Sequence, residues 1–355
     1  MDRQQMRKKK KKKRRIKFIV FPLILILLGT VGFGSYLTYK LANASSKAQE
    51  TLSRGGKSEL RLNEVDPGKD NFSVLIAGID DSKHRKGEKG FAGNRTDALI
   101  LATFNRDKKS VKMVSIPRDS YVTIPGRINK DKITHAHAFG GMDLTVDTVE
   151  HLFNIPVDYY VRVNFDAFLQ IVDTLGGVDV DVQKKIVEQD SKDRPRAITI
   201  EPGQQRLNAE EALAYARTRH ADSDIMRGDR QKQIVEGIIK ESTQIKSIPK
   251  YGKLIENVGD NMSTNFTFGN MLALLKYAKS VGDVESLKLE GTDARINNIY
   301  YYSLNELSVQ NVSAQLKEHL AYDGSGTQDS GTGTGTDSSS TDSTTDSTSE
   351  ANNGN

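Results

Sequence analysis

The chain has 355 residues, enough for one large domain with appendages or for two, and carries a formal net charge of +5. That surplus sits at one end, because Arg7 to Lys17 is almost wholly Lys and Arg whereas the residues from 323 onward are acidic. There is no cysteine, which excludes disulfides, thiolate nucleophiles and Cys-ligated zinc.

From the N-terminus, residues 1–17 form a basic tail and residues 18–39, Phe18 to Tyr39, form an apolar run without a charge, long enough to span a bilayer. The Lys/Arg block MRKKKKKKRRIK keeps the N-terminus cytoplasmic, so everything after Lys40 is expected outside the cell membrane. Beside such a run the basic block reads as a topology signal and not as a nucleic-acid patch. A retained single-pass anchor is expected; cleavage after Ala44 is the rival, since Ala42-Asn43-Ala44 has a small-x-small form. Residues 40–70 are polar, with Gly-Gly and Pro-Gly breakers, and read as an extracytoplasmic stalk. Residues 323–355, rich in Ser, Thr, Gly and Asp, read as a disordered tail.

The folded part is placed at 71–322. FSVLIAGI, ALILATFN and VKMVSIP read as strands, the last two joined by the turn Asn105 to Lys109 and therefore paired. Leu144, Val149, Leu152 and Phe153 follow helical spacing, then VDYYVRV reads as a strand. Phe165 to Leu175 reads as an amphipathic helix closed by Gly176-Gly177, before the strand VDVDV. The alternation predicts a single layered α/β domain with a mixed central sheet covered by helices. THAHAFGG reads as a loop, in which His135 and His137 are not expected to bind metal. Phe139, Phe165 and Phe168 read as core packing, with the lining of an apolar groove as the alternative.

Polar clusters close these elements: Asp80 and Asp81 after the first strand, Arg95 and Asp97 at the next, Arg118 and Asp119 after the third. Such strand ends are where α/β folds assemble sites. In YARTRHADSDIMRGDRQKQI, Arg217, Arg219, Arg227 and Arg230 crowd together. A helix is expected from Ser223 or Asp224, with Arg227, Arg230 and Gln231 near one face of its first turns. Cations at a helix N-terminus oppose its dipole, so an anion between them is expected. Guanidinium forks suit pyrophosphate oxygens, and a pair of acids such as Asp80 and Asp97 suits a magnesium ion bridging the same oxygens. A salt-bridged surface using Asp222, Asp224 and Asp229 is the bland alternative.

The ordered motifs NFSVLIAGID, GNRTDALILATFN, VSIPRDSYVTIP, DKITHAHAFGG, LGGVDVDV, PGQQRLNAEEALAYARTRH and DIMRGDRQKQI resemble the LytR-CpsA-Psr family of Gram-positive bacteria over about residues 70–245. Many members have Asp-Gly where this chain has Asn208-Ala209. The resemblance implies an extracytoplasmic phosphotransferase. It would attach an undecaprenyl-pyrophosphate-linked anionic glycopolymer, of the teichoic acid or capsular polysaccharide type, to peptidoglycan through a phosphodiester bond to the muramic acid 6-hydroxyl. Carried over, Arg95, Arg118, Arg217, Arg219, Arg227, Arg230 and Gln231 would bind pyrophosphate. Asp80 and Asp97 would hold Mg2+ or Mn2+, and one of them would take the acceptor's proton, so that Asp80, Asp97 and Arg118 form the catalytic set. A pyrophosphate hydrolase and a non-catalytic receptor or regulator for anionic envelope polymers stand as alternatives. No nucleic-acid partner is expected.

Overall fold

The computed structural model describes residues 48–79, 95–218, 224–244, 261–278 and 282–324. The basic tail, the apolar run 18–39, Asp80, Asp81, Arg219, His220 and nearly all of the Ser/Thr-rich tail lie outside the described residues. Within the described residues no helix is long and apolar enough to cross a membrane.

In chain order the strands are β1 (Phe72–Ile79), β2 (Thr96–Asn105), β3 (Ser110–Ser115), β4 (Tyr121–Val122), β5 (Asp131–Lys132), β6 (Tyr159–Val163) and β7 (Val178–Val182). Then come β8 (Ile186–Glu188), β9 (Ile198–Ile200), β10 (Gly203–Leu207), β11 (Met262–Thr264), β12 (Asp283–Leu287), β13 (Gly291–Ile296) and β14 (Ile299–Leu304). The helices are α1 (Thr134–Phe153), α2 (Phe165–Leu175), α3 (Ala209–Arg217), α4 (Asp224–Gln244), α5 (Phe268–Ala278) and α6 (Glu306–Leu320).

Among the described residues one mixed sheet runs β11-β6-β1-β2-β3-β12. Its centre is the antiparallel trio β1–β2–β3, with β6 parallel to β1 and β12 parallel to β3. Side chains alternate across a strand, so the sheet offers two apolar faces. Leu75, Leu99, Leu101 and Val114 pack with Val146 and Phe153 of α1 and Leu316 of α6. Ile100, Ala102 and Met113 face the other way, against Val235 and Ile239 of α4. A helical layer on each face is the architecture expected from the alternation of elements.

Helix ends follow the local chemistry. Asn164 caps α2 by accepting from the Ala167 N–H, and Gly176, at φ 81, closes it in the left-handed region where glycine carries no Cβ penalty. Asn208 makes a full capping box with Glu211 at the start of α3.

Two expectations are corrected. THAHAFGG is not a loop: it is the first part of α1, which kinks at Gly140 and Gly141 where the backbone leaves helical angles. The glycine pair marks a bend inside a helix, because Ala136, Met142 and Val146 are buried on both sides of it. Residues 48–70 are not a free stalk. Ala48 and Leu52 are buried, Arg54 binds Glu150 at 2.7 Å and Arg61 binds Asp158 at 2.8 Å, so this polar segment straps across the domain. Its composition misled because its cations are counterions to buried carboxylates.

The region after 245, which carried no residue-level expectation, completes the sheet. It supplies both edges, β11 and β12, and the covering helix α6.

Candidate functional site

The site forms where β1 and β2 part. Gly78 pairs with Ala98 but Ile79 pairs with Thr96, so Asp97 is the extra residue of a β-bulge. A bulge re-aims a side chain, and here two consecutive residues, Asp97 and Ala98, both line one cavity. Gly78 lies opposite: a Cβ there would meet the Ala98 Cβ at 3.2 Å, so glycine keeps the cavity wall open.

The cavity has a volume of about 450 Å³ and runs between the sheet, α2, α3 and α4. Ile76, Ile100, Phe168, Leu213, Ile234 and Val235 make its interior apolar. Asp97, Glu188 and Asp193, with Arg217, Arg227, Gln189 and Gln231, make the rest of its lining polar. An apolar bore that also carries two guanidiniums suits an amphiphile with an anionic head.

Each polar group is placed by its element. Arg217 ends α3 and donates Nη2 to the Gln189 carbonyl at 2.6 Å and also to that of Asp190. Its Nε is buried with no hydrogen-bond partner among the described residues, a donor for an incoming oxygen. The loop that holds it is itself fixed by Asp190. Backbone donation from Arg194 N–H, then the Arg194 guanidinium and Lys192 N–H, hold that carboxyl below the usual carboxylate range.

Arg227 is buried in the first turn of α4. The approach depends on Gly228, where a Cβ would meet Ser115 Oγ at 2.6 Å, so glycine lets the helix start sit on the end of β3. Gln231, one turn on, donates to the Ala216 carbonyl at 3.2 Å.

Arg118 Nη1 lies 2.5 Å from Asp97 Oδ1 and its Nε 3.7 Å from Asp119. Asp119 in turn binds Lys132 Nζ at 2.7 Å, and that ammonium lies over the rings of Tyr300 and Tyr301. An alternating array of charges thus leads from the cavity wall to the β13–β14 hairpin. Lys132 was not singled out in the sequence; its signal was its place in the motif DKITHAHAFGG, two residues before α1.

Asp97, Arg217, Arg227 and Gln231 therefore share the cavity, with Arg118 attached through Asp97. Arg230 does not line it. Buried behind the wall, it donates to the carbonyls of Tyr215 at 3.1 Å and Thr218 at 2.8 Å, satisfying the end of α3. Arg95 is exposed one residue before β2. Asp80 and Arg219 lie outside the described residues. Phe165 and Phe168, read as core, line the cavity, whereas Phe139 stands away from it, under the guanidinium of Arg127.

Among the described residues no group of three or more His, Asp or Glu side chains comes together to hold a metal. Of the two carboxylates expected to hold magnesium, Asp97 lines the cavity and Asp80 lies outside the described residues.

The LytR_cpsA_psr family model matches residues 35–318. The chain belongs to this family. The LytR-CpsA-Psr chain is 43% identical over 321 residues to the polyisoprenyl-teichoic acid–peptidoglycan teichoic acid transferase TagT of Bacillus subtilis (strain 168), covering 90% of this chain and 99% of the relative. It is 41% identical over 304 residues to TagU of Halalkalibacterium halodurans, covering 83% and 96%. Among solved structures, TagT bound to LIIa-WTA superposes with a TM-score of 0.67 at 42% identity, covering 77% of this chain and 99% of that one. YwtF (TagT) with bound octaprenyl pyrophosphate lipid gives 0.62 at 40%, with the same coverage.

Proposed function

We propose that this chain moves a glycopolymer from a polyisoprenyl-pyrophosphate carrier to peptidoglycan, forming a phosphodiester. The observation that carries the reading is the cavity: an apolar bore of prenyl chemistry that also carries guanidiniums of pyrophosphate chemistry, in a fold whose solved relative YwtF (TagT) holds octaprenyl pyrophosphate lipid.

The prenyl chain lies along Ile76, Ile100, Phe168 and Ile234, and burial of its methylenes at about 0.8 kcal/mol each provides affinity without specificity. The pyrophosphate sits at Arg217 and Arg227, with Gln231 beside them. The acceptor hydroxyl oxygen, that of the muramic acid 6-position, attacks the phosphorus bearing the sugar. A new O–P bond forms, the bond from that phosphorus to the bridging oxygen breaks, and polyisoprenyl phosphate leaves with the electron pair. The hydroxyl proton passes to a carboxylate, Asp97 or Asp80. Magnesium, held by the same two carboxylates, would neutralise charge on the phosphate oxygens. Arg118, attached to Asp97, and Arg217 stabilise the charge that builds on the leaving phosphate. Arg95, Arg219 and Arg230 complete the expected pyrophosphate set, Arg230 acting from behind by fixing the end of α3.

The apolar run 18–39 makes the protein a single-pass membrane protein with the domain outside, which confines enzyme and lipid carrier to one surface. The test is to incubate the protein with magnesium, a lipid-pyrophosphate oligosaccharide and peptidoglycan fragments. Mass spectrometry should find a phosphodiester conjugate together with polyisoprenyl phosphate. Release of polyisoprenyl phosphate without conjugate would make it a hydrolase, and no turnover a receptor.

A further inference from the structure

The geometry points to a second membrane contact, a docking surface for anionic lipid formed by the 123–130 loop tip and Phe139. It goes beyond the transfer reaction and rests on the bilayer-spanning reading of residues 18–39.

Two aliphatic and aromatic side chains stand in solvent here without a core to join. Ile128 is 102% exposed at the loop tip and Phe139 is 44% exposed on α1. The Arg127 guanidinium lies 3.9 Å from the Phe139 ring centroid, and Arg127 and Lys130 are both exposed. Apolar residues ringed by cations suit the boundary of acyl chains and anionic headgroups, where long basic side chains reach the phosphates while the rings sink.

Position decides the occupant. Only residues 40–47 separate the apolar run from Ala48, and eight residues reach at most roughly 28 Å when fully extended. A domain of this size is about 45 Å across, so the tether cannot carry Ala48 to the face turned away from the bilayer. Ala48 is buried, Gln49 bridges Thr264, and Ser53 N–H donates to Asp143 Oδ1 at 2.6 Å. Phe139 precedes Asp143 by four residues, so its Cα lies within about 14 Å of that contact. Ser53, five residues after the tether meets the domain at Ala48, is thus tied to the helix that carries Phe139. The cavity is near as well, since Asn164, which lines it, donates its N–H to the Asn261 carbonyl, one residue before β11. Through β11 and α1 the entry point is linked to both cavity and patch, an arrangement that would turn the cavity toward the surface that holds its lipid.

The chain has no tryptophan, so a single one reports its own surroundings. The full-length protein carrying Ile128→Trp would be reconstituted into vesicles of phosphatidylcholine with phosphatidylglycerol, with and without bromine on the acyl chains. Leu62→Trp, exposed on the strap next to Arg61, which donates to Asn71 at the opposite start of β1, is the control. Ile128→Trp should shift to the blue and lose roughly half its emission to brominated lipid, with Leu62→Trp little changed. Adding Arg127→Glu and Lys130→Glu should return Ile128→Trp toward the control. Equal quenching at the two positions, or quenching that survives the charge reversals, would overturn the proposal. Flotation of every variant with the vesicles reports the anchor separately, and transferase activity is not part of the readout.

Discussion

Arg118 and Asp97 meet at 2.5 Å, joining the end of β3 to a bulge in β2. The pair fixes both groups at the cavity wall, and Arg118 has Asp119 as a further carboxylate neighbour at 3.7 Å. Asp97→Asn keeps the shape and removes the charge. Conjugate formation should fall about a hundredfold or more, while the thermal midpoint moves little because the group is partly exposed. Retained transfer at the normal rate would contradict a role for this carboxylate in the reaction.

Arg217 and Arg230 are expected to fail differently. Arg217→Lys cannot span the two carbonyls and the cavity at once, so affinity for polyisoprenyl pyrophosphate should drop tenfold or more, about 1.4 kcal/mol or greater, with stability nearly unchanged. Titration calorimetry against a short-chain polyisoprenyl pyrophosphate measures it.

Arg230→Met strips the donors from the Tyr215 and Thr218 carbonyls inside the domain. A loss of about 2–4 kcal/mol in unfolding free energy should accompany any loss of binding. Chemical denaturation separates the two, because a purely ligand-binding arginine would leave the midpoint in place.

Ala98→Leu extends a side chain into the bore beside Gly78. Long prenyl carriers should bind more weakly, whereas affinity for inorganic pyrophosphate is unaffected. A competition series over chain length tests this, and a length-independent effect would place the lipid elsewhere.

His319 gives a pH signature unrelated to chemistry. Its ring nitrogens meet the hydroxyls of Thr103 and Ser110 at 2.9 Å each, linking α6 to β2 and β3. Burial, followed by the nearby Lys112 and Lys108 charges, lowers its pKa from 6.5 to about 4. Between those values the unfolded chain binds the proton and the native one does not, so stability is complete above 6.5 and declines as pH falls toward 4. The loss amounts to at most about 3 kcal/mol. His319→Gln should flatten the thermal midpoint across that window.

The order β1–β2–β3 was legible because apolar β-branched runs and the turn at Asn105 to Lys109 are local signals. So was α2, whose stop at Gly176 is written in the residue that favours a positive φ. Asp97 as a bulge was not legible: it depends on which residue of β1 faces which of β2, and register is set by the assembled sheet. The function of Phe165 and Phe168 was hidden for a related reason, since a face lining an apolar bore has the same periodicity as a face filling a core. Residues 48–70 misled because Arg54 and Glu150 stand 96 positions apart, and no local pattern announces that a cation in a polar run neutralises a buried acid.

The strap also decides what a protease could release. Leu52, Arg54 and Arg61 are stitched to the core, to Glu150 and to Asp158, so cutting within this stretch would strand two acids in a low-dielectric interior instead of freeing an intact domain. Cleavage that leaves the activity intact would have to fall upstream of Ala48.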